Sequence, residues 1–137
     1  MKSDRRKGST LIEFAFVLLP LLALIFGSIE MDRMLLVYNA LTNSARAGVR
    51  YAAVHGIYAD GAGCNAATQA NIGNVVKTFA GMGMIDASRL DPPIVTCADG
   101  HIGSPVSVAV SYHYAPLTSF FPLSVTLRGS AKGTVTF

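Results

Sequence analysis

The longest apolar stretch of the chain lies near its start. Phe14 to Ile29 contains sixteen residues without a charged side chain, with basic residues upstream and three charged residues soon after it. An apolar run of this length with charged flanks is typical of a membrane-spanning helix. We therefore predict a transmembrane segment over about residues 11–29.

Beyond Ile29 the apolar positions narrow to a stripe, which predicts that the helix continues. Apolar, aromatic or small residues recur in steps of three and four with one adjacent pair, the spacing of one helical face. The stripe consists of Met31, Leu35, Tyr38, Leu41, Ala45, Gly48, Val49 and Ala52. The opposite, polar side consists of Arg33, Asn39, Asn43, Arg46 and Arg50. Leu36 lies off the stripe.

One long helix is therefore expected over about residues 9–54, with its first half in lipid and its second half packed on a domain outside the membrane. Pro20 lies within the apolar half. Because proline lacks the backbone donor of a helical hydrogen bond, it should kink the helix or open a local gap in its hydrogen bonds.

A second, shorter helix is predicted after a glycine-rich loop. Loop composition follows residue 54, and Ala66 to Phe79 is then a helix candidate with Gly81 as its stop. Ala70, Val76 and Phe79 are its expected contacts with the core.

Strand signals cluster in the C-terminal part. The clearest is an alternation of period two, which predicts a strand with one buried face. Its buried positions are Val106, Val108, Val110, Tyr112 and Tyr114. Further strand candidates are residues 94–96, 123–127 and 131–137, with a bend at 128–130. Because the strands follow the helices, we expect an α+β fold with the long helix packed on a small antiparallel sheet of three or four strands.

The distribution of charge predicts how the chain is oriented in a membrane. The basic residues at the start are Lys2, Arg5, Arg6 and Lys7. With one acidic residue, residues 1–8 account for the whole net charge of +3, because residues 9–137 hold seven charges of each sign. By the positive-inside rule, this block keeps the N-terminus cytoplasmic and makes residues 55–137 an extracytoplasmic domain. No basic patch elsewhere suits nucleic acid.

Cys64 and Cys97 fall in the part that this orientation places outside the cytoplasm. An even number of cysteines in an oxidising compartment favours a disulfide, with two unpaired thiols as the alternative. In the chain-entropy model, closing a loop of this size would stabilise the fold by about 3–4 kcal/mol.

No catalytic or metal-binding constellation is visible in the sequence. His55, His101 and His113 lie in separate segments without the spacing of a metal site. No glycine-rich phosphate loop precedes a helix, and the two cysteines are too far apart for a thioredoxin-type motif. We therefore predict a protein that is not an enzyme and needs no cofactor or metal.

Glu13 is a carboxylate set into the apolar segment, where a charge is costly and usually functional. Basic residues, Gly8, four further residues, Glu13 and an apolar run resemble the class III signal of type IV pilins and pseudopilins. In that family a prepilin peptidase cuts after the glycine and the apolar segment is retained. The resemblance implies a cut between Gly8 and Ser9, with Glu13 as the fifth residue of the mature protein.

The continuation of the sequence resembles the TadE-like proteins of the Tad (tight adherence, or Flp) pilus system. The resemblance is specific from Gly8 to Ala53, about a third of the chain, and only general from Cys64 onward. It rests on residues 13–15, 18–20, 27–30 and 41–52. Compared with major Flp pilins, the chain has a longer globular part and Phe14 where a tyrosine usually follows the glutamate. Both departures favour a minor pseudopilin over the main filament subunit.

This resemblance implies a type IV pilin-like fold and a structural role in pilus assembly and cell adhesion. The implied location is the inner membrane, crossed once, with a periplasmic C-terminal domain, and with possible incorporation into the pilus. The implied partners are the prepilin peptidase, other minor pseudopilins, the major Flp pilin, the inner-membrane assembly platform and membrane lipid. Cleavage would free the amine of Ser9, which Glu13 of a neighbouring subunit could bind, setting the axial register.

Two other interpretations use the same apolar segment. A cleaved secretory signal peptide has similar parts, but no clear Ala-x-Ala site follows the run and the helical pattern continues past it. An uncleaved single-pass anchor carrying an extracytoplasmic binding domain is the second alternative, which hydropathy alone allows.

Overall fold

The computed structural model describes residues 4–55, 66–82, 85–97, 102–116 and 124–136. Helix α1 spans Asp4–His55 and helix α2 spans Ala66–Met82, followed by a short 3-10 helix at Ala87–Arg89. The strands are β1 (Ile94–Cys97), β2 (Pro105–Tyr114) and β3 (Val125–Thr134). The chain divides into two compact units, Met1–Arg33 and Met34–Phe137.

The first unit contains the apolar part of α1. Helix is continuous through Pro20, and the large apolar side chains of this part, such as Phe16 and Leu24, are exposed. Within the described residues, one helix is long and apolar enough to cross a membrane, and none of its most apolar window is buried. Apolar surface on all sides of a helix requires a non-aqueous environment or other helices around it.

The second unit is built on a three-stranded antiparallel sheet with the strand order β1-β2-β3. β2 is central, with Val108 opposite Val95 of β1 and Tyr112 opposite Leu127 of β3. The alternation predicted for β2 is confirmed, because all five of its inward positions are buried. The predicted α+β class is confirmed as well.

The second half of α1 packs one face into the core of this unit. Leu41, Ala45, Val49 and Ala52 are buried, as the stripe predicts. The prediction was wrong at its start, where Met31, Leu35 and Tyr38 are exposed. Val37 is buried instead. Val37 precedes Leu41 by four residues and faces the core with it, whereas Tyr38 precedes Leu41 by three residues and faces away.

α2 contributes a face of residues four apart, namely Ile72, Val76 and Ala80. Of the contacts predicted for this helix, Val76 is correct, whereas Ala70 and Phe79 are exposed. Gly81 does not end the helix, which continues to Met82. The i, i+4 spacing of the buried residues places Ala80, and not Phe79, over the sheet.

β3 is one continuous strand, so the predicted pair of strands with a bend at residues 128–130 was wrong. Gly129 is buried in its middle, opposite Val110. A Cβ at Gly129 would lie 2.7 Å from the backbone carbonyl carbon of Leu41 and 2.8 Å from the backbone nitrogen of Thr42. The glycine therefore permits close approach of α1 to the strand and does not mark a turn.

The end of β3 is tied back to the last turns of α1. The hydroxyl and the backbone N–H of Thr136 both donate to the carbonyl oxygen of Ala53, at 3.1 and 3.4 Å. Next to them, Val135 is buried and exchanges backbone hydrogen bonds with Gly103 and Ser104. Residues far apart in sequence thus hold the second half of α1 on the sheet.

Candidate assembly site on the N-terminal helix

Glu13 lies on the exposed surface of the continuous helix α1. Its neighbours Ile12 and Phe14 are 61% and 63% exposed, so the carboxylate sits within apolar surface. Ser9 is also exposed and precedes Glu13 by four residues, which is about 6 Å along the helix axis and on the same face. Residues 9 and 13 are therefore both presented to whatever surrounds this helix.

Within the part of the chain that the structure describes, the Glu13 carboxylate has apolar neighbours and no opposite charge beside it. No ion pair to Glu13 is present among the described side chains. A carboxylate surrounded by apolar surface loses hydration when that surface is covered, and a cation from another molecule offsets that loss. The site can therefore bind a positively charged group carried by a neighbouring chain.

The backbone around Gly8 is helical, because α1 begins at Asp4. Lys2 lies outside the described residues, and so do the side chains of Arg5, Arg6 and Lys7. The cleavage site between Gly8 and Ser9 and the topogenic role of the basic residues therefore stay predictions. The same holds for a kink at Pro20.

Cys97 is the last residue of β1 and lies opposite Val106, partly buried against the core. Among the described residues there is no free cysteine. Cys64 lies outside the described part of the chain, so its pairing with Cys97 stays a prediction.

The one histidine whose side chain is described lies on the outer face of the sheet. Nε2 of His113 is 3.2 Å from a carboxylate oxygen of Asp91, and Nδ1 is 3.4 Å from the hydroxyl of Thr126. These three residues form a solvent-facing surface cluster. In the parts of the chain that the structure describes, no group of three or more His, Cys, Asp or Glu side chains could hold a metal ion.

The family model described as "TadE-like protein" matches residues 8–50. The N-terminal part of the chain is similar to the TadE-like family. The match begins at Gly8, includes Glu13 and the apolar half of α1, and ends in the part of α1 that packs on the sheet. It covers about a third of the chain and confirms the resemblance predicted from the sequence. No curated protein and no solved structure matches the chain.

This match associates the protein with the Tad pilus and with a membrane. The apolar helix agrees with a single-pass anchor. The family is structural and not enzymatic. Interaction with other components of the Tad pilus follows in general terms from the same match.

The chain also has a surface that the sequence did not predict. A groove of about 520 Å³ runs between α1 and α2, and we call it the α1–α2 groove. It is lined by Asn43, Arg46, Ala47, Arg50, Tyr51, Val54, Val75 and Phe79. The sequence pattern assigned this side of α1 to solvent because of its arginines and asparagine. The sequence did contain a signal for this surface, because Ala47, Tyr51 and Val54 on the same side of α1 are apolar or small.

Proposed function

We propose that this TadE-like protein is a minor pseudopilin that acts in the initiation and assembly of a Tad/Flp pilus. The observation that carries the proposal is the position of Glu13: an exposed carboxylate in an apolar helix whose most apolar window contains no buried residue, inside a family match that begins at Gly8. Such a helix suits lateral packing against other helices in lipid and in a filament.

In this proposal a prepilin peptidase cuts between Gly8 and Ser9. Residues 1–8 set a cytoplasmic N-terminus and are then removed. The cut converts the amide nitrogen of Ser9 into a charged amine, which Glu13 of a neighbouring subunit binds. Because burying either charge alone is more costly than burying the pair, the ion pair favours one axial register between subunits.

The proposed topology is a single pass through the inner membrane over about residues 11–29, with a periplasmic domain. The periplasmic part comprises the sheet, α2 and the half of α1 packed on them. Proposed partners are the prepilin peptidase, other minor pseudopilins, the major Flp pilin and the assembly platform of the inner membrane. A disulfide between Cys64 and Cys97 would suit that compartment.

Processing is tested by the intact mass of the protein from its native membrane. We expect the wild type to begin at Ser9 and the variant Gly8→Arg to begin at Met1. Gly27→Ala is the matched control, because it alters a glycine of the same helix where an added Cβ meets no atom within 4 Å. A wild-type protein that begins at Met1 would contradict processing and support the uncleaved anchor, and a start near Ser28 would indicate a secretory signal peptide.

The assembly role is tested by Glu13→Ala with Glu30→Ala as its control. Both variants remove a carboxylate from α1, but Glu30 lies after the apolar run. Glu13→Ala should leave expression intact and lower processing or the number of pili by about tenfold or more, since about 1.4 kcal/mol of lost subunit contact suffices for a tenfold change. Normal pili in cells carrying Gly8→Arg and in cells carrying Glu13→Ala would refute the assembly role.

A further inference from the structure

The shape of the α1–α2 groove suits a helix. Its α1 residues follow one another in alternating steps of three and one from Asn43 to Val54, which is about 16 Å or three turns along the axis. Ala47, the smallest of them, lies near the middle of this length and is half-buried. A small residue between two packed helices leaves a depression into which the ridge of a third helix fits.

The groove exposes apolar surface that the fold leaves uncovered. Phe79 is 50% exposed and Val54 is 61% exposed, while Tyr51 and Val75 form a half-buried floor between them. A partner helix with a stripe of apolar side chains would bury these four side chains. Removal of such surface from water is the main favourable contribution to helix-in-groove binding.

The charged residues that line the groove indicate which charge the partner carries. Arg46 and Arg50 are exposed and stand four residues apart on α1, an arrangement in which two like charges repel each other. The lining contains no acidic residue. In the second unit, the acidic residues that the structure describes are engaged elsewhere: Asp86 with Arg89 and Asp91 with His113.

Among the described residues of the unit, the carboxylates therefore do not supply the acidic partner that the arginines of a second copy would need. The described surface of the unit offers no cluster of carboxylates that would complement the two arginines of a neighbouring copy. A partner that brings its own acidic side chains next to an apolar stripe satisfies both features of the groove.

We infer that the α1–α2 groove docks an amphipathic helix of a partner protein, about three turns long, whose apolar stripe is flanked by Glu or Asp. The apolar stripe covers Phe79, Val54 and the floor, and the acidic residues bind Arg46 and Arg50. This inference goes beyond the proposed function, because it concerns a surface of the second unit and holds whether or not residues 1–8 are removed.

The probe is a fluorescein-labelled helical peptide of about 14 residues, with Leu at positions i, i+3, i+4 and i+7 and Glu beside them. The comparison peptide has Lys in place of every Glu. Fluorescence anisotropy is measured with the full chain in uncharged detergent micelles. We expect saturable binding of the Glu peptide at least about tenfold tighter than that of the Lys peptide, because two partly desolvated ion pairs are replaced by repulsion.

The charge-reversed variant Arg46→Glu with Arg50→Glu should reverse this preference. Its matched control is Lys77→Glu with Arg128→Glu, which changes the net charge equally at two exposed positions outside the groove lining. The control should keep the affinity for the Glu peptide within about twofold. Ala47→Met keeps both arginines and fills the depression at Ala47, so it should weaken binding of the Glu peptide as well.

Three results would overturn the inference. Equal affinity for the two peptides would remove the role of the arginines, and equal loss in the control variant would indicate general attraction between net charges. In the third result, the Glu peptide does not bind, but phosphatidylglycerol vesicles bind the full chain through Arg46 and Arg50. The surface would then be a contact for lipid and not for a partner helix. A charge-reversed variant that retains the near-ultraviolet circular dichroism of the wild type shows that lost binding is not lost folding.

Discussion

Gly129→Ala should destabilise the second unit more than a one-methyl change ordinarily does. The new Cβ would lie 2.7 Å from the carbonyl carbon of Leu41, 2.8 Å from the nitrogen of Thr42 and 2.9 Å from Cβ of Leu41. Carbon atoms pack at about 3.5–4.0 Å, so α1 would have to move away from β3 by about 1 Å. Backbone atoms cannot rotate out of the way as the end of a side chain can.

The magnitude follows from two opposing effects. Overpacking a buried position costs about 1–3 kcal/mol, and the absence of a flexible neighbour places Gly129 at the upper end of that range. Replacing glycine by alanine within a strand returns about 0.5–1 kcal/mol through the lower entropy of the unfolded chain. The expected net loss is about 2 kcal/mol, or a fall of about 8 °C or more in the midpoint of thermal unfolding.

Near-ultraviolet circular dichroism of the full chain in detergent is a suitable assay. The chain has no tryptophan, and Tyr112 and Tyr114 are buried in the second unit, so their signal reports the packing of that unit. The control is Gly73→Ala within α2, where an added Cβ meets no atom within 4 Å. It should raise the midpoint, since alanine favours a helix over glycine by about 1 kcal/mol.

A Gly129→Ala protein that unfolds at the wild-type temperature would refute the close approach of α1 to β3. The same conclusion would follow if both variants shifted the midpoint in the same direction by equal amounts. Gly133 provides a graded check, because its added Cβ would meet Cγ1 of Val49 at 2.5 Å, which is a single side-chain atom and not the helix backbone. Gly133→Ala should therefore lower the midpoint by less than Gly129→Ala.

Three further predictions concern the second unit. Leu41→Ala should cost about 2–5 kcal/mol in urea unfolding because Leu41 is fully buried, whereas Leu36→Ala, at a side chain 69% exposed, should stay within about 0.5 kcal/mol. The Ser88 hydroxyl and N–H both donate to Asp86, at 2.7 and 3.0 Å, and hold the pKa of that carboxyl below its ordinary 3.8. Because the folded pKa is lowered, the stabilisation is present above pH 3.8 and is lost as pH falls through the folded value. Ser88→Ala should raise the pKa of Asp86 in an NMR titration, and an unchanged pKa would contradict the hydroxyl's role. Oxidised full chain should show no reactive thiol under denaturing conditions, and labelling of both cysteines would exclude the bridge.

Features encoded in neighbouring residues were predictable from the sequence. The apolar run of α1, the charged block before it and the alternation in β2 each depend on one helix or strand alone, because helical and strand periods are local. The position of Glu13 relative to Gly8 is likewise a matter of spacing. For this reason the apolar segment, the buried face of β2 and the TadE-like resemblance could each be read from local sequence patterns alone.

Features that depend on which surfaces meet were not predictable in the same way. A glycine within a strand pattern is compatible with a turn or with close approach of another element, and only the crossing of α1 over β3 decides that Gly129 serves the second. The choice of Val37 over Tyr38, and of Ala80 over Phe79, likewise depends on where each helix contacts the sheet.

Hydropathy, charge and spacing along one helix were enough to predict the apolar half of α1, the charged block before it and the place of Glu13 five residues after Gly8, since all three act along a single continuous helix. The α1–α2 groove, in contrast, forms only when the two helices pack in the folded chain. Its two sides come from helices joined through residues 56–65, and whether Arg46 and Phe79 face solvent separately or form one surface depends on how those helices pack against each other. That packing is set by the volumes of side chains such as Val76 beneath them, which no local pattern encodes.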